Sequence, residues 1–201
     1  MTAPAIVAMP PSALYAKIEA LGPTPGGDDV MKSWKRRQTF IDHFGWSVPS
    51  REAVQTIAAF VGERRVLEVM AGRAVWASLL AAEGVDVVAT DSGAWHLDLP
   101  PYFPVEEAEA RDAVVRHRDA AVLMMSWPPM HEAAERALLE FRGDQLVYIG
   151  EWNGCTATPE FHSLLGRGWT SRRVSITSWD SIHDSLYLCE RRAGRGRKGA
   201  E

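Results

Sequence analysis

Val66-Leu67-Glu68-Val69-Met70-Ala71-Gly72-Arg73-Ala74-Val75-Trp76-Ala77-Ser78-Leu79-Leu80 decides the fold. Val66 to Val69 is a short apolar run of strand length, rich in β-branched residues. Val75, Trp76, Leu79 and Leu80 recur at helical spacing. Met70-Ala71-Gly72 between them is a tight turn. A buried strand, a glycine turn and an amphipathic helix make the first β-α unit of a nucleotide-binding sheet. Further on, Val85-Asp86-Val87-Val88-Ala89-Thr90 predicts a second strand that ends in Asp91. A carboxylate there is placed to accept both hydroxyls of a ribose. An aspartate in that position also reads as a turn cap.

The spacing alone admits NAD, FAD or S-adenosylmethionine. Dinucleotide binders bring a pyrophosphate to the helix N-terminus through G-x-G-x-x-G. Here Gly72 stands alone, with Ala74 and Ala77 in the other two places. A diphosphate cradle is not expected. The acid just before the turn, Glu68, tilts the choice, because Glu-x-x-Ala-Gly resembles motif I of the class I S-adenosylmethionine-dependent methyltransferases.

Bulk properties narrow the class. With 201 residues, 46% of them hydrophobic, the chain supports one substantial core. The reading divides it into a flexible N-terminal segment with a short helix (1–27), a single S-adenosylmethionine-binding domain (28–191) and a disordered basic tail (192–201). The net charge of −4 gives no field that favours polyanions, so a nucleic-acid partner is not expected. No apolar run reaches the length of a membrane span. Met1 to Met9 lacks a basic n-region, and the cysteines number two, which together predict a cytoplasmic, reduced protein. No metal is expected: Cys155 and Cys189 make no site alone, and His131-Glu132-Ala133-Ala134-Glu135 lacks the second histidine of a zinc motif. Oligomeric state leaves no signal.

In chain order, Ser12 is expected to cap a short helix to residue 21, and a second helix runs from Asp28 or Asp29 to about His43. Ser50 caps a third, to about Phe60. After the central unit and the second strand comes a long loop, Ser92 to Pro104, containing Trp95. Strand three is weak, from Phe103 to Val105. Glu109 to His117 and His131 to Phe141 read as helices, Ala120 to Met125 and Gln145 to Ile149 as strands. Ser126-Trp127-Pro128-Pro129-Met130 must turn, since prolines give a strand no ladder donor. Thr158-Pro159-Glu160 starts a helix that ends near Gly166. Trp169 to Thr177 and Ile182 to Glu190 alternate and predict a closing antiparallel hairpin. The fold class is α/β: a mostly parallel seven-stranded Rossmann-like sheet, helices on both faces, ending in that hairpin.

From about Arg36 to Arg191 the chain resembles a family of small microbial and fungal S-adenosylmethionine-dependent methyltransferase-like proteins. That family carries a Tyr-x-Trp-x-Ile-Pro-Ser element, here Phe44 to Ser50. It carries Glu-x-x-Ala-Gly-x-Gly-x-Trp, here Glu68 to Trp76 with Ala74 for the second glycine. It carries Trp-Pro-Pro after strand four, here Trp127 to Pro129, and Ile-Gly-Glu-x-x-Gly-Cys-Thr after strand five, here Ile149 to Thr156. Enzymes that close the cofactor's own aminobutyrate chain into azetidine-2-carboxylate also resemble methyltransferases of this kind. Ser126-Trp-Pro-Pro occupies the place of the Asp/Asn/Ser-Pro-Pro-aromatic motif of amine methyltransferases, but Trp127 is inserted and Met130 is not aromatic.

Ligands of a parallel sheet bind beyond the carboxyl ends of its strands. The expected cofactor residues are therefore Trp46, Glu68, Met70, Ala71, Gly72, Arg73, Asp91, Ser92, Ser126 and Trp127. Trp46, Trp127 and Trp152 come from three loops at one rim. An indole face attracts a cationic sulfur by about 0.5–2 kcal/mol, although each tryptophan alone also reads as packing. Pro128, Trp152, Asn153 and Trp179 are the expected substrate residues. His183, beside Asp184, is a candidate base, or a hairpin histidine bonded to its neighbours. Glu151 is the second catalytic candidate, to hold an amine. Methyl transfer needs in-line placement above all, so a base is dispensable. The expected function is methyl transfer from S-adenosylmethionine to a small molecule. The alternatives are a cyclase that releases methylthioadenosine, a nucleic-acid amine methyltransferase, and a binding module without turnover.

Overall fold

A computed structural model describes residues 6–24, 30–93 and 99–193. The expected helix start at Asp28 or Asp29, Trp95 and the tail from 194 lie outside the described residues. Three helices lead in: α1 (Pro11–Leu21), α2 (Val30–Phe44) and α3 (Arg51–Val61). Alternation follows: β1 (Val66–Val69), α4 (Val75–Ala82), β2 (Val87–Asp91), β3 (Val105–Glu107), α5 (Ala110–Arg116), β4 (Val122–Ser126), α6 (Ala133–Glu140), β5 (Gln145–Gly150), α7 (Pro159–Gly168), β6 (Trp169–Val174) and β7 (Ser185–Arg191).

The seven strands form one sheet in the order β3-β2-β1-β4-β5-β7-β6. β7 runs antiparallel between β5 and β6, and the other pairings are parallel. Alternate residues of each strand face opposite sides. Val66, Met124, Val147 and Leu186 pack with α1 to α4 in one cluster; Leu67, Leu123, Tyr148 and Tyr187 pack with α5 to α7 in the other. Leu14, Tyr15 and Ile18 of α1 belong to the first cluster, and Val7 N–H bonds to Pro101 O at 2.9 Å.

Local chemistry corrects several boundaries. Ser12 does not cap α1: Pro10 is the N-cap, with Pro11 at the first helical position, where a missing N–H is harmless. Ser50 Oγ does accept from Ala53 N–H at 3.2 Å, and Thr158 Oγ1 from Phe161 N–H at 3.1 Å. β2 begins at Val87, because Val85 N–H closes the end of α4 on Leu80 O. β3 begins at Val105, after Pro104, which has no ladder donor. α6 starts at Ala133, since His131 is held in a turn on Pro129 O. The terminal ladder is shorter than its alternation suggests: β6 stops at Val174 and β7 starts at Ser185, and between them Trp179 packs edge-on against Phe40 of α2.

Candidate functional site

The carboxyl ends of β1, β2 and β4 meet one cavity of about 340 Å³, within the usual range for a small-molecule site. Its floor is the turn after β1. Glu68 is 1% exposed, and its Oε2 accepts the Ala77 N–H at 3.0 Å. Ala77 lies in the first turn of α4, whose N-cap, Ala74, has no side-chain acceptor to give. The strand thus supplies the cap that the helix lacks. Burial pushes the Glu68 carboxyl up to about 8; the Ala77 bond opposes the rise and the charge of Asp91 adds to it.

Gly72 has φ +54°, and a Cβ built there meets nothing within 4 Å. That open space is where a ligand can approach the backbone. Ala74 has φ +52° but is 1% exposed and packs in the core, so its methyl faces helix packing. Asp91 Oδ2 accepts the Gly72 N–H and Oδ1 the Gly93 N–H, both at 2.8 Å. A carboxylate has about four acceptor sites, so lone pairs remain for a ligand.

The opposite wall is aromatic. Trp46 and Trp127 stack with ring centroids 5.6 Å apart and an interplanar angle of 17°. Trp127 has φ +51° and Met70 φ +56°, conformations that cost a non-glycine residue about 1–2 kcal/mol and concentrate at functional sites. Ser47, not singled out in the sequence, joins three elements: its Oγ accepts Trp76 Nε1–H at 2.9 Å and lies 2.7 Å from Ser126 Oγ. Arg73 lines the cavity but spends its guanidinium on backbone, donating to the carbonyls of Pro100 and His43 and lying 4.5 Å from the Tyr102 ring centroid. It clamps the end of α2 to the loop before β3. Burial lowers its proton affinity.

Trp46, Glu68, Met70, Ala71, Gly72, Arg73, Asp91, Ser92, Ser126, Trp127 and Pro128 all line this cavity. Ile41, Phe44, Ser47, Glu109 and His131 line it as well, and none of them is among the site residues expected from the sequence. The remaining expected residues stand elsewhere. Glu151 accepts from the backbone N–H groups of His183 (2.7 Å) and Cys155 (3.2 Å). Burial pushes its carboxyl up, but these bonds outweigh that and leave it below its ordinary value. Glu151 therefore ties the loop after β5 to the loop before β7. His183 is exposed and enters that contact through its backbone. Trp152 packs on the other face of the sheet, its ring centroid 5.4 Å from His162 and 5.0 Å from Tyr187. There the Tyr148 hydroxyl bonds both Thr156 Oγ1 and His162 Nε2. Asn153 is exposed, and Trp179 is in the core. Of the two cysteines, Cys155 is exposed and lines the cavity, whereas Cys189 is buried and its thiol is pushed up to about 12.

Among the described residues no cluster of His, Cys, Asp and Glu could hold a metal ion, and no helix is long and apolar enough to cross a membrane. No family model and no curated protein matches the sequence. Solved structures do match. A candidate RNA methyltransferase from Pyrococcus horikoshii is 14% identical with TM-score 0.53, over 93% of this chain and 98% of that one. Magnesium protoporphyrin IX methyltransferase from Synechocystis PCC 6803, solved with bound S-adenosylmethionine, is 12% identical with TM-score 0.52, over 94% and 100%. A chain of the E. cuniculi Mtq2–Trm112 complex, which methylates the termination factor eRF1, is 14% identical with TM-score 0.51, over 73% and 99%. The fold is the Rossmann-like fold of the class I methyltransferases.

Proposed function

We propose that the cavity holds S-adenosylmethionine and that the chain transfers its methyl group to a small molecule. The observation that carries this is the meeting of three features on one wall-to-wall path: the open Gly72 turn, the Asp91 carboxylate and the stacked Trp46 and Trp127 indoles. Asp91 suits ribose hydroxyls, and Gly72 admits the ligand close to the backbone. Bound S-adenosylmethionine supplies an electrophilic methyl on a cationic sulfur. Indole faces attract such a cation. Glu68, buried beneath the same turn, takes the Ala77 N–H of the first turn of α4, a donor that a pyrophosphate at this helix start would otherwise use. The resemblance of residues 36–191 to the small microbial and fungal methyltransferase-like family supports the same reading. So does the bound S-adenosylmethionine of the Synechocystis protein. The apolar and aromatic lining supports a small acceptor.

Calorimetry with S-adenosylmethionine, NAD and FAD tests the cofactor. Heat with the first alone is expected, and uptake of a dinucleotide in its place overturns the proposal. Product analysis then separates the chemistries. S-adenosylhomocysteine formed when an acceptor is added means methyl transfer. Methylthioadenosine formed without one means cyclisation of the cofactor.

A further inference from the structure

Ser47 and Ser126 are the chain neighbours of the two stacked indoles, Trp46 and Trp127. Trp76 Nε1–H donates to Ser47 Oγ, and Ser47 Oγ lies 2.7 Å from Ser126 Oγ. The indole N–H and the two hydroxyls carry three hydrogens, and these two bonds use two of them. One hydroxyl hydrogen is left over whichever serine donates to the other, and both serines line the cavity. Ser47 is 2% exposed and Ser126 is half-buried. Donation from Trp76 through Ser47 to Ser126 places the spare hydrogen on the more open oxygen, and each bond of such a chain strengthens the next. The Trp127 N–H is spent on Asp184 Oδ2 at 3.2 Å, so the serines hold an open donor in this wall.

Several acceptor atoms at the β4 end of the cavity are already in use. Pro128 O takes the Ala157 N–H at 2.9 Å, and Pro129 O takes the His131 N–H at 2.8 Å. His131 Nδ1 takes the Ala133 N–H at 3.3 Å, so the neutral ring carries its hydrogen on Nε2 and donates there. Asp91 and Glu109 stand toward the other edge of the sheet: Asp91 ends β2, and Glu109 follows β3 as the N-cap of α5. β1 lies between β2 and β4, which separates their ends by about 10 Å at the usual strand spacing. Glu68, on β1 itself, is kept protonated by burial near neutral pH. The β4 end thus offers donors, which suit the lone pairs of an oxygen better than the N–H groups of an amine. We propose that the Ser47–Ser126 pair holds the methyl acceptor by a carboxylate oxygen, which makes a carboxylic acid, and not an amine, the substrate class. This assignment rests on the proposed cofactor site. An ionised carboxylate takes the methyl through its own lone pair while the carbon–sulfur electrons stay with sulfur. The two charges cancel, a methyl ester and a neutral thioether result, and no proton has to leave. The step calls for no base, and His131 has no nitrogen lone pair left to act as one.

The test uses calorimetry on the full chain, with Ser126→Ala and Ser126→Cys beside the wild type. Cysteine keeps the size of the side chain and a weak donor, and carries the comparison if alanine does not fold; an unchanged Tm shows that a variant folds. The first probes are S-adenosylhomocysteine and methylthioadenosine, which lacks the amino-acid tail. On protein saturated with S-adenosylhomocysteine the probes are benzoate, phenylacetate and cinnamate, each beside the amine of the same skeleton: benzylamine, phenethylamine and cinnamylamine. At least one acid is expected to bind, and its amine to bind weaker by about tenfold or more. Ser126→Ala is expected to lose about tenfold or more for that acid, with Ser126→Cys in between, and both to keep S-adenosylhomocysteine affinity. The proposal is overturned if no acid binds, if the amine binds as well as its acid, or if the variants keep the acid's affinity. Weaker S-adenosylhomocysteine binding with unchanged methylthioadenosine binding in the variants would give the serine pair to the cofactor's own carboxylate, and overturns it too. Wild-type protein that binds neither nucleoside overturns the cofactor reading, and this one with it.

Discussion

At the scale of single residues, Glu68 and Asp91 are the most exacting positions. The folded state holds Glu68 protonated up to about pH 8, mainly through burial. Between its ordinary carboxylate value and about 8, the native chain therefore binds a proton that the unfolded chain has lost. Stability falls as pH rises through that window, by up to about 1.4 kcal/mol per pH unit. Denaturant unfolding at several pH values is expected to show this slope in the wild type and its loss in Glu68→Gln. Asp91→Ala is expected to weaken S-adenosylmethionine binding by about 1.5–3 kcal/mol, a tenfold to hundredfold rise in Kd by calorimetry. A lowered Tm with unchanged affinity would instead assign the aspartate to its two turn amides. Both carboxylates were legible from sequence, since an acid inside an apolar strand and an acid at the end of the next one are local signals. Ser47 and Asp184 were not. Their partners lie 29 and 79 residues from Ser47 and 57 from Asp184, and no short-range pattern encodes such pairings.

At the scale of elements, two short segments carry predictions. The loop between α2 and α3 is fastened by the Ser47 hydroxyl. Ser47→Ala leaves the buried Trp76 N–H without an acceptor, at about 1–3 kcal/mol, and a Tm lower by roughly 3–10 °C is expected in thermal unfolding. The turn after β1 departs from glycine at Ala74. Ala74→Gly relieves a left-handed backbone and removes a buried methyl, effects of about 1 kcal/mol each and opposite sign. Near-unchanged Tm and unchanged S-adenosylmethionine affinity are expected, and tighter binding would show that the methyl hinders the ligand after all. β1, the turn and α4 were legible because strand period, glycine and helix period adjoin within fifteen residues. The segment 175–184 was not. Its apolar residues continue the strand alternation, yet Trp179 gains more from Phe40 on a distant helix than from a ladder. The expected substrate role of Trp179 came from placing that segment at a hairpin tip, and the same misreading drew attention to His183.

At the scale of the whole molecule, one sheet separates two unlike halves. The cavity opens at the carboxyl edge of the sheet, lined by α2 and α4 from one face and by the first residues of α5 and α6 from the other, whereas the cluster around Tyr148, Thr156 and His162 lies buried beneath the second face. The division assigns the two thiols opposite fates. Cys155 stands at the mouth of the cavity, and Cys189 lies within the sheet with its ionisation suppressed. Thiolate is the form that alkylates, so a maleimide added to the native chain is expected to mark Cys155 alone, as intact-mass spectrometry would record. The protein thus carries its own attachment point for a fluorophore. Slower labelling as nucleoside is titrated in would give an occupancy gauge without any engineered residue, and equal rates at all concentrations would place the dye outside the ligand's reach.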